Sequence, residues 1–141
     1  MSTQAVHVRG DVDWTLARVF LLITTIVHIP LGIVGFLYDR TFPLSPQAAQ
    51  AAGSAYMFGL ETNGWHTLGA LIVGIAALYG TLNRSRARQT ALILGATHVG
   101  LFLSLVIWEP STFLIASNGA DQVIHAFTAI GGTVSGLATR S

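Results

Sequence analysis

Four histidines, His28, His66, His98 and His125, each fall inside a separate apolar stretch of this 141-residue chain, and His7 lies in the N-terminal tail. Imidazole at such places can do three kinds of chemistry: hydrogen-bond across helices, ligate a metal or haem, or pass a proton. Other chemistries are missing their parts. The chain has no cysteine, which excludes disulfides, thiolate metal sites, iron–sulfur clusters and a cysteine nucleophile. No Gly-rich phosphate loop or nucleophile elbow occurs, and Ser45, Ser54 and Ser111 have no base nearby in sequence. No pair of histidines has His-x3-His or His-Glu-x2-His spacing. The sequence therefore leans away from an enzyme.

The carriers of these histidines must be membrane elements. Hydrophobic residues make up 52% of the chain and charged residues 9%, against roughly 25% charged in an average soluble domain. A soluble surface could not be covered with so few charges, whereas a lipid-facing surface needs none. Net charge is +1, too small a footprint for nucleic acid. All seven basic residues are Arg, a usage that fits a GC-rich bacterial genome. A bilayer core needs about 20 mostly apolar helical residues. Four segments supply them, at about 14–37, 63–82, 89–108 and 122–138. The expected fold is all-α, a single transmembrane domain over 1–141 built as a polytopic four-helix bundle. The first span is too long and lacks a following small-residue site, so it does not read as a cleaved signal peptide.

Arginine sets the orientation. Arg9, Arg18, Arg84, Arg86, Arg88 and Arg140 fall on one side of a four-span chain, and Arg40 alone on the other. The positive-inside rule makes the Arg-rich side cytoplasmic, with both termini there, in a bacterial plasma membrane. Trp14, Trp65 and Trp108 stand at span ends, where amphipathic rings settle.

Depth follows from a rise of about 1.5 Å per residue. His28 and His98 come out roughly 14 Å above the cytoplasmic ends, and His66 and His125 roughly 22–25 Å, near the outer surface. The chain thus reads as two tandem helical hairpins, each with a deep and then a shallow histidine, in layers about 10 Å apart. Helical offsets give three of them a packing stripe of mostly small residues: Gly32 and Gly35 with His28; Ala70, Val73 and Ala77 with His66; Ala129, Gly132 and Gly136 with His125. Pro30 stands close to His28 and can kink the first span, and Glu109 shares a face with His98.

Between the spans, Ser45-Pro46 predicts the cap and first turn of a short Ala-rich helix ending near Gly53. Tyr56, Met57 and Phe58 are expected in the headgroup interface, as are Phe113, Leu114 and Ile115. Thr62 or Asn63 is placed to cap the second span and Asp121 the fourth.

The run Asn63-Gly-Trp-His66 with Gly69 and Gly74, and Asp121-Gln-Val-Ile-His125 with Gly131 and Gly132, resembles a family of small four-helix bacterial, actinobacterial-type membrane proteins of unknown function. The resemblance implies a polar cap, a histidine and then small residues at the starts of the second and fourth helices. It implies no activity.

Three functional readings stand at this point. In the first, histidines act as interhelical glue, His66 meeting Asp121 or Asn63 and His125 meeting Glu61, with bonds worth about 0.6–2 kcal/mol. The chain is then a non-enzymatic accessory or scaffolding subunit whose partners are the lipid bilayer and another membrane protein or a second copy. In the alternative, His28 and His98 hold one b-type haem, or His66, His125, Glu61 and Asp121 hold a transition metal, for electron transfer or metal handling. In the third, the histidines line a path for a proton or small molecule.

Overall fold

A computed structural model of the chain describes residues 14–52, 55–107 and 114–140. The fold is built on helices. In chain order they are α1 (Leu16–Tyr38), α2 (Pro46–Ala52), α3 (Gly64–Gly80), α4 (Arg84–Ile107) and α5 (Gly119–Ala138), and a β-hairpin of β1 (Ala55–Met57) and β2 (Leu60–Thr62) precedes α3. Among the described residues one helix, Leu16–Tyr38, is long and apolar enough by itself to cross a membrane, and Gly64–Gly80 is a shorter apolar helix. Each of the four long helices exposes large apolar side chains, among them Ile26 and Ile33 on α1, Ile75 on α3, Ile93 on α4 and Ile130 on α5.

Local sequence explains where the elements begin. Thr15 caps α1 by accepting the Arg18 N–H, Ser45 caps α2 through the Ala48 N–H at 3.1 Å, and Asn63 caps α3 through the His66 N–H at 3.0 Å. The expected cap of the last helix is corrected. Asn118 is the N-cap, and Asp121 is the third helical residue, whose carboxylate reaches back to the Asn118 N–H. That reciprocal arrangement is a capping box, and it starts α5 at Gly119 rather than near residue 122. On the opposite side, α4 starts at Arg84, not near residue 89, because Asn83 accepts the Arg86 N–H and the arginines continue the helix.

A hairpin stands where the sequence predicts only a lead-in to α3: β1 and β2 run antiparallel, paired Ala55↔Thr62, Tyr56↔Glu61 and Met57↔Leu60, with Tyr56 and Met57 on β1 and Phe58 in the turn. Its two-residue turn puts both Phe58 (φ 54°) and Gly59 (φ 84°) in the left-handed region, the backbone of a type I′ turn. Gly59 takes this without cost; Phe58 does not, and the Asn118 side-chain amide donating to the Gly59 carbonyl at 2.8 Å holds the turn. Met57 points inward and is buried, while Tyr56 and Phe58 are exposed.

Packing is strongest within two helix pairs, α1 with α3 and α4 with α5, which fits the two-hairpin reading. Small residues allow it. A Cβ on Gly132 would lie 2.7 Å from the Ala91 carbonyl and 2.8 Å from the Gly95 nitrogen, so the α4 and α5 backbones touch there. Gly32 and Gly35 face Leu71 and Thr67 in the same way. On α3 the close-packed row therefore runs through Thr67, Leu71 and Gly74, one position round from His66, Ala70 and Val73. At the end nearest the α3–α4 turn, Ala17, Phe20, Leu21, Ala77, Ala87, Ala91 and Leu94 form one buried cluster. Pro30 lies inside α1 without ending it. Trp108, Glu109, Ser111 and Phe113 lie outside the described residues.

Candidate functional site

The four long helices bring their histidines together. The ring centroids of His28 and His98 are 6.1 Å apart, those of His98 and His125 5.5 Å, and those of His125 and His66 6.3 Å. The rings form one continuous chain from α1 through α4 and α5 to α3. His28 pairs with His98 and His66 with His125, but the rings of the two pairs are not about 10 Å apart. Rise along an axis locates Cα atoms only, and the side chains of His98 and His125 lean into the gap and close it.

Hydrogen bonds fix how three of the rings are presented. Nδ1 of His28 donates to the Thr24 carbonyl at 3.0 Å, and Nδ1 of His98 to the Leu94 carbonyl at 2.8 Å, both one turn back on the same helix. Nδ1 of His66 donates to the Glu61 carbonyl at 2.8 Å. A carbonyl only accepts, so the proton of each neutral ring sits on Nδ1 and Nε2 keeps a lone pair. Nδ1 of His125 is buried and has no hydrogen-bond partner among the described residues.

Asp121 closes the chain. Its Oδ2 accepts the Asn118 N–H at 2.8 Å and the Glu61 N–H at 3.2 Å, tying α5 to β2. Its Oδ1 lies 3.8 Å from Nε2 of His66. With Nδ1 committed as a donor, a neutral His66 turns its Nε2 lone pair toward this carboxylate oxygen.

These groups line a partly open cavity of about 140 Å³. His28 and Thr67 sit within its wall, the hairpin residues Met57, Leu60 and Thr62 border it with Ile115, and Leu31, Val73, Leu101 and Ile124 supply apolar surface. An engineered apolar cavity of roughly 150 Å³ holds one benzene, so this space takes a small molecule or a short file of waters. A haem macrocycle is several times larger. His28 and His98 are neighbours, as a haem pair requires, but the space beside them is small. Among the described residues no group of three or more His, Asp or Glu side chains is placed to hold a metal ion. Of the expected metal set, His66, His125 and Asp121 do line one cavity. Glu61 meets His66 through its main-chain carbonyl, and its N–H meets Asp121.

Several site residues carried no signal in the sequence. Trp65, whose indole N–H donates to the Pro43 carbonyl at 2.9 Å, read only as an interface aromatic. Met57 and Leu60 enter because of the hairpin, which the Phe58-Gly59 pair alone did not announce. Asn118 read as part of a Ser-Asn-Gly turn and is the residue that fixes Asp121.

The fold and site define a helical protein whose four long helices surround a histidine-lined cavity. The chain belongs to the family described as Domain of unknown function (DUF4383), whose model matches residues 18–138. This agrees with its resemblance to a family without an assigned activity. Comparison with curated proteins and with solved structures yields no match.

Proposed function

We propose that this is a four-span membrane protein whose working part is a pocket that receives a small molecule from the outer face. The observation that carries the reading is the convergence of one imidazole from each long helix on a single cavity, with Nε2 lone pairs left over. Polar groups in a membrane interior are costly, and their gathering at one cavity is the usual mark of a ligand or ion path. Interhelical glue is less well supported: the Nδ1 bonds of His28 and His98 stay within their own helices and join nothing.

The bilayer reading rests on the exposed apolar faces of all four long helices, a surface far larger than soluble monomers display. The six-to-one arginine count supports placing the α3–α4 turn inside and the hairpin outside. With that orientation the pocket lies in the outer half, and the cluster around Leu21 and Ala91 fills the inner half. This favours a pocket with one entrance over a through-channel. A lipid-embedded partner or a second copy is compatible with the exposed faces.

Because the chain has no cysteine, accessibility scanning has no background. Ser45→Cys and Ser85→Cys report topology; only the first should react with an impermeant reagent added outside. Ala70→Cys, on the cavity wall, should react with a small thiosulfonate from outside, while Ala77→Cys in the packed half should stay silent. An Ala70→Cys protein that resists reagent from both sides would remove the pocket reading.

A further inference from the structure

The identity of the ligand can be narrowed by counting what the cavity offers. Acceptors are plentiful: Nε2 of His28, His66 and His98, and Oδ1 of Asp121. Donors are few, because the walls spend theirs on the backbone. The Thr67 hydroxyl donates to the Gly64 carbonyl at 3.0 Å, the Ser104 hydroxyl to the Gly100 carbonyl at 2.7 Å, and the Trp65 indole to Pro43. Among the described residues, what remains is the Thr62 hydroxyl and the single N–H of a neutral His125. Two of the acceptors, Nε2 of His66 and Oδ1 of Asp121, oppose each other at 3.8 Å, a span that a donor on either ring or ligand must fill.

We infer that the pocket binds a small protonated amine, ammonium or a short alkylammonium. The inference rests on the pocket reading above. An ammonium group carries only donors and a positive charge, the complement of this lining. Its N–H groups bridge His66 and Asp121 and reach the deeper imidazoles. The alkyl part lies against Val73, Leu101 and Ile124, and a chain of three or four carbons matches the space of about 140 Å³. An anion is opposed by the acceptor-rich walls. A neutral alcohol satisfies fewer of the acceptors and brings no charge to Asp121.

The test uses the full chain in lipid nanodiscs, with 15N-labelled histidine and three probes of similar size: propylammonium, 1-propanol and propionate. Propylammonium should move the imidazole resonances of His66 and His98 saturably at neutral pH. 1-Propanol should bind at least about tenfold more weakly, the factor that one charge-assisted hydrogen bond supplies, and propionate should produce no saturable shift. Asp121→Asn can keep both backbone bonds through its amide oxygen and donate from its nitrogen to His66. It should therefore keep the fold and lose propylammonium affinity about tenfold or more. Ala70→Leu, which fills the cavity with every histidine intact, should abolish the shift. Equal binding of propanol and propylammonium, or preferential binding of propionate, overturns the ligand class and leaves the pocket standing. A His66 already carrying both protons without ligand, unchanged by propylammonium, also overturns it. Silence toward all three probes, together with an unreactive Ala70→Cys, removes the pocket itself.

Discussion

The two halves of the bundle solve opposite problems with the same four helices. In the half near the α3–α4 turn, Ala17, Leu21, Ala77, Ala87 and Ala91 are completely buried and leave no room between helices. In the half near the hairpin, histidines stand at the corresponding interior positions and a cavity remains. The difference lies in what the side chains can tolerate. Alanine and glycine let backbones touch, and a hydroxyl among them finds its partner in the carbonyl one turn back, as Thr25 does in the Leu21 carbonyl at 2.8 Å. An imidazole returns one nitrogen to a carbonyl in the same way, but its second nitrogen still needs a partner, and a tightly packed wall would leave it unsatisfied. Open space beside a histidine is thus a consequence of its chemistry, and close packing a consequence of alanine's.

That contrast can be broken most forcefully at Gly132. The three atoms nearest a Cβ there are all backbone atoms of α4, which cannot swing away as a side chain can. Gly132→Val should prevent the α4–α5 contact altogether, measured as loss of folded protein recovered in mild detergent. Recovery at the wild-type level would show that the two helices need not touch. Next in size is Leu21→Ala. Leu21 has no exposed surface, and emptying a core site of this kind costs about 2–5 kcal/mol. The midpoint of unfolding in a denaturing-detergent titration should fall accordingly; an unchanged midpoint would mean the packed half is not what holds the bundle. Asn118→Ala comes third. It removes the cap from α5, which costs about 1 kcal/mol, and it frees the Gly59 carbonyl from its amide. Amide exchange should rise at the hairpin before it rises in the helices.

How far the sequence revealed this arrangement depends on the kind of signal each part leaves. Long helices leave a strong one, and all four were legible, with boundaries wrong where polar caps lie beyond the apolar run, as at Asn118 and Asn83. The pairing of His28 with His98 and of His66 with His125 was legible from depth. The contact between His98 and His125 was not, because side-chain reach is invisible to a count of helical rise. The packed face of α5 through Ala129, Gly132 and Gly136 read correctly. That of α3 read correctly at Ala77, which is fully buried, and was one residue off above it, since His66 drew attention to the cavity wall while Thr67 and Gly74 face α1. The hairpin left almost no trace. Its strands are three residues each and its turn places a phenylalanine where asparagine or glycine is usual.

The smallest effect is the sharpest test of the contrast, because it reverses the sign of the largest. Gly69 lies on the cavity wall, and a Cβ built on it meets nothing within 4 Å. Replacing glycine by alanine inside a helix favours the helix by roughly 0.5–1 kcal/mol when no neighbour objects. Gly69→Ala should therefore leave the unfolding midpoint unchanged or raise it slightly. The same alanine at Gly132 should lower it, since even a methyl group there meets the Gly95 backbone. Two glycines of the same fold would then answer the same substitution in opposite directions. If Gly69→Ala were instead as damaging as Gly132→Ala, α3 would be packed against a neighbour at that level, and the space credited to the histidines would not exist.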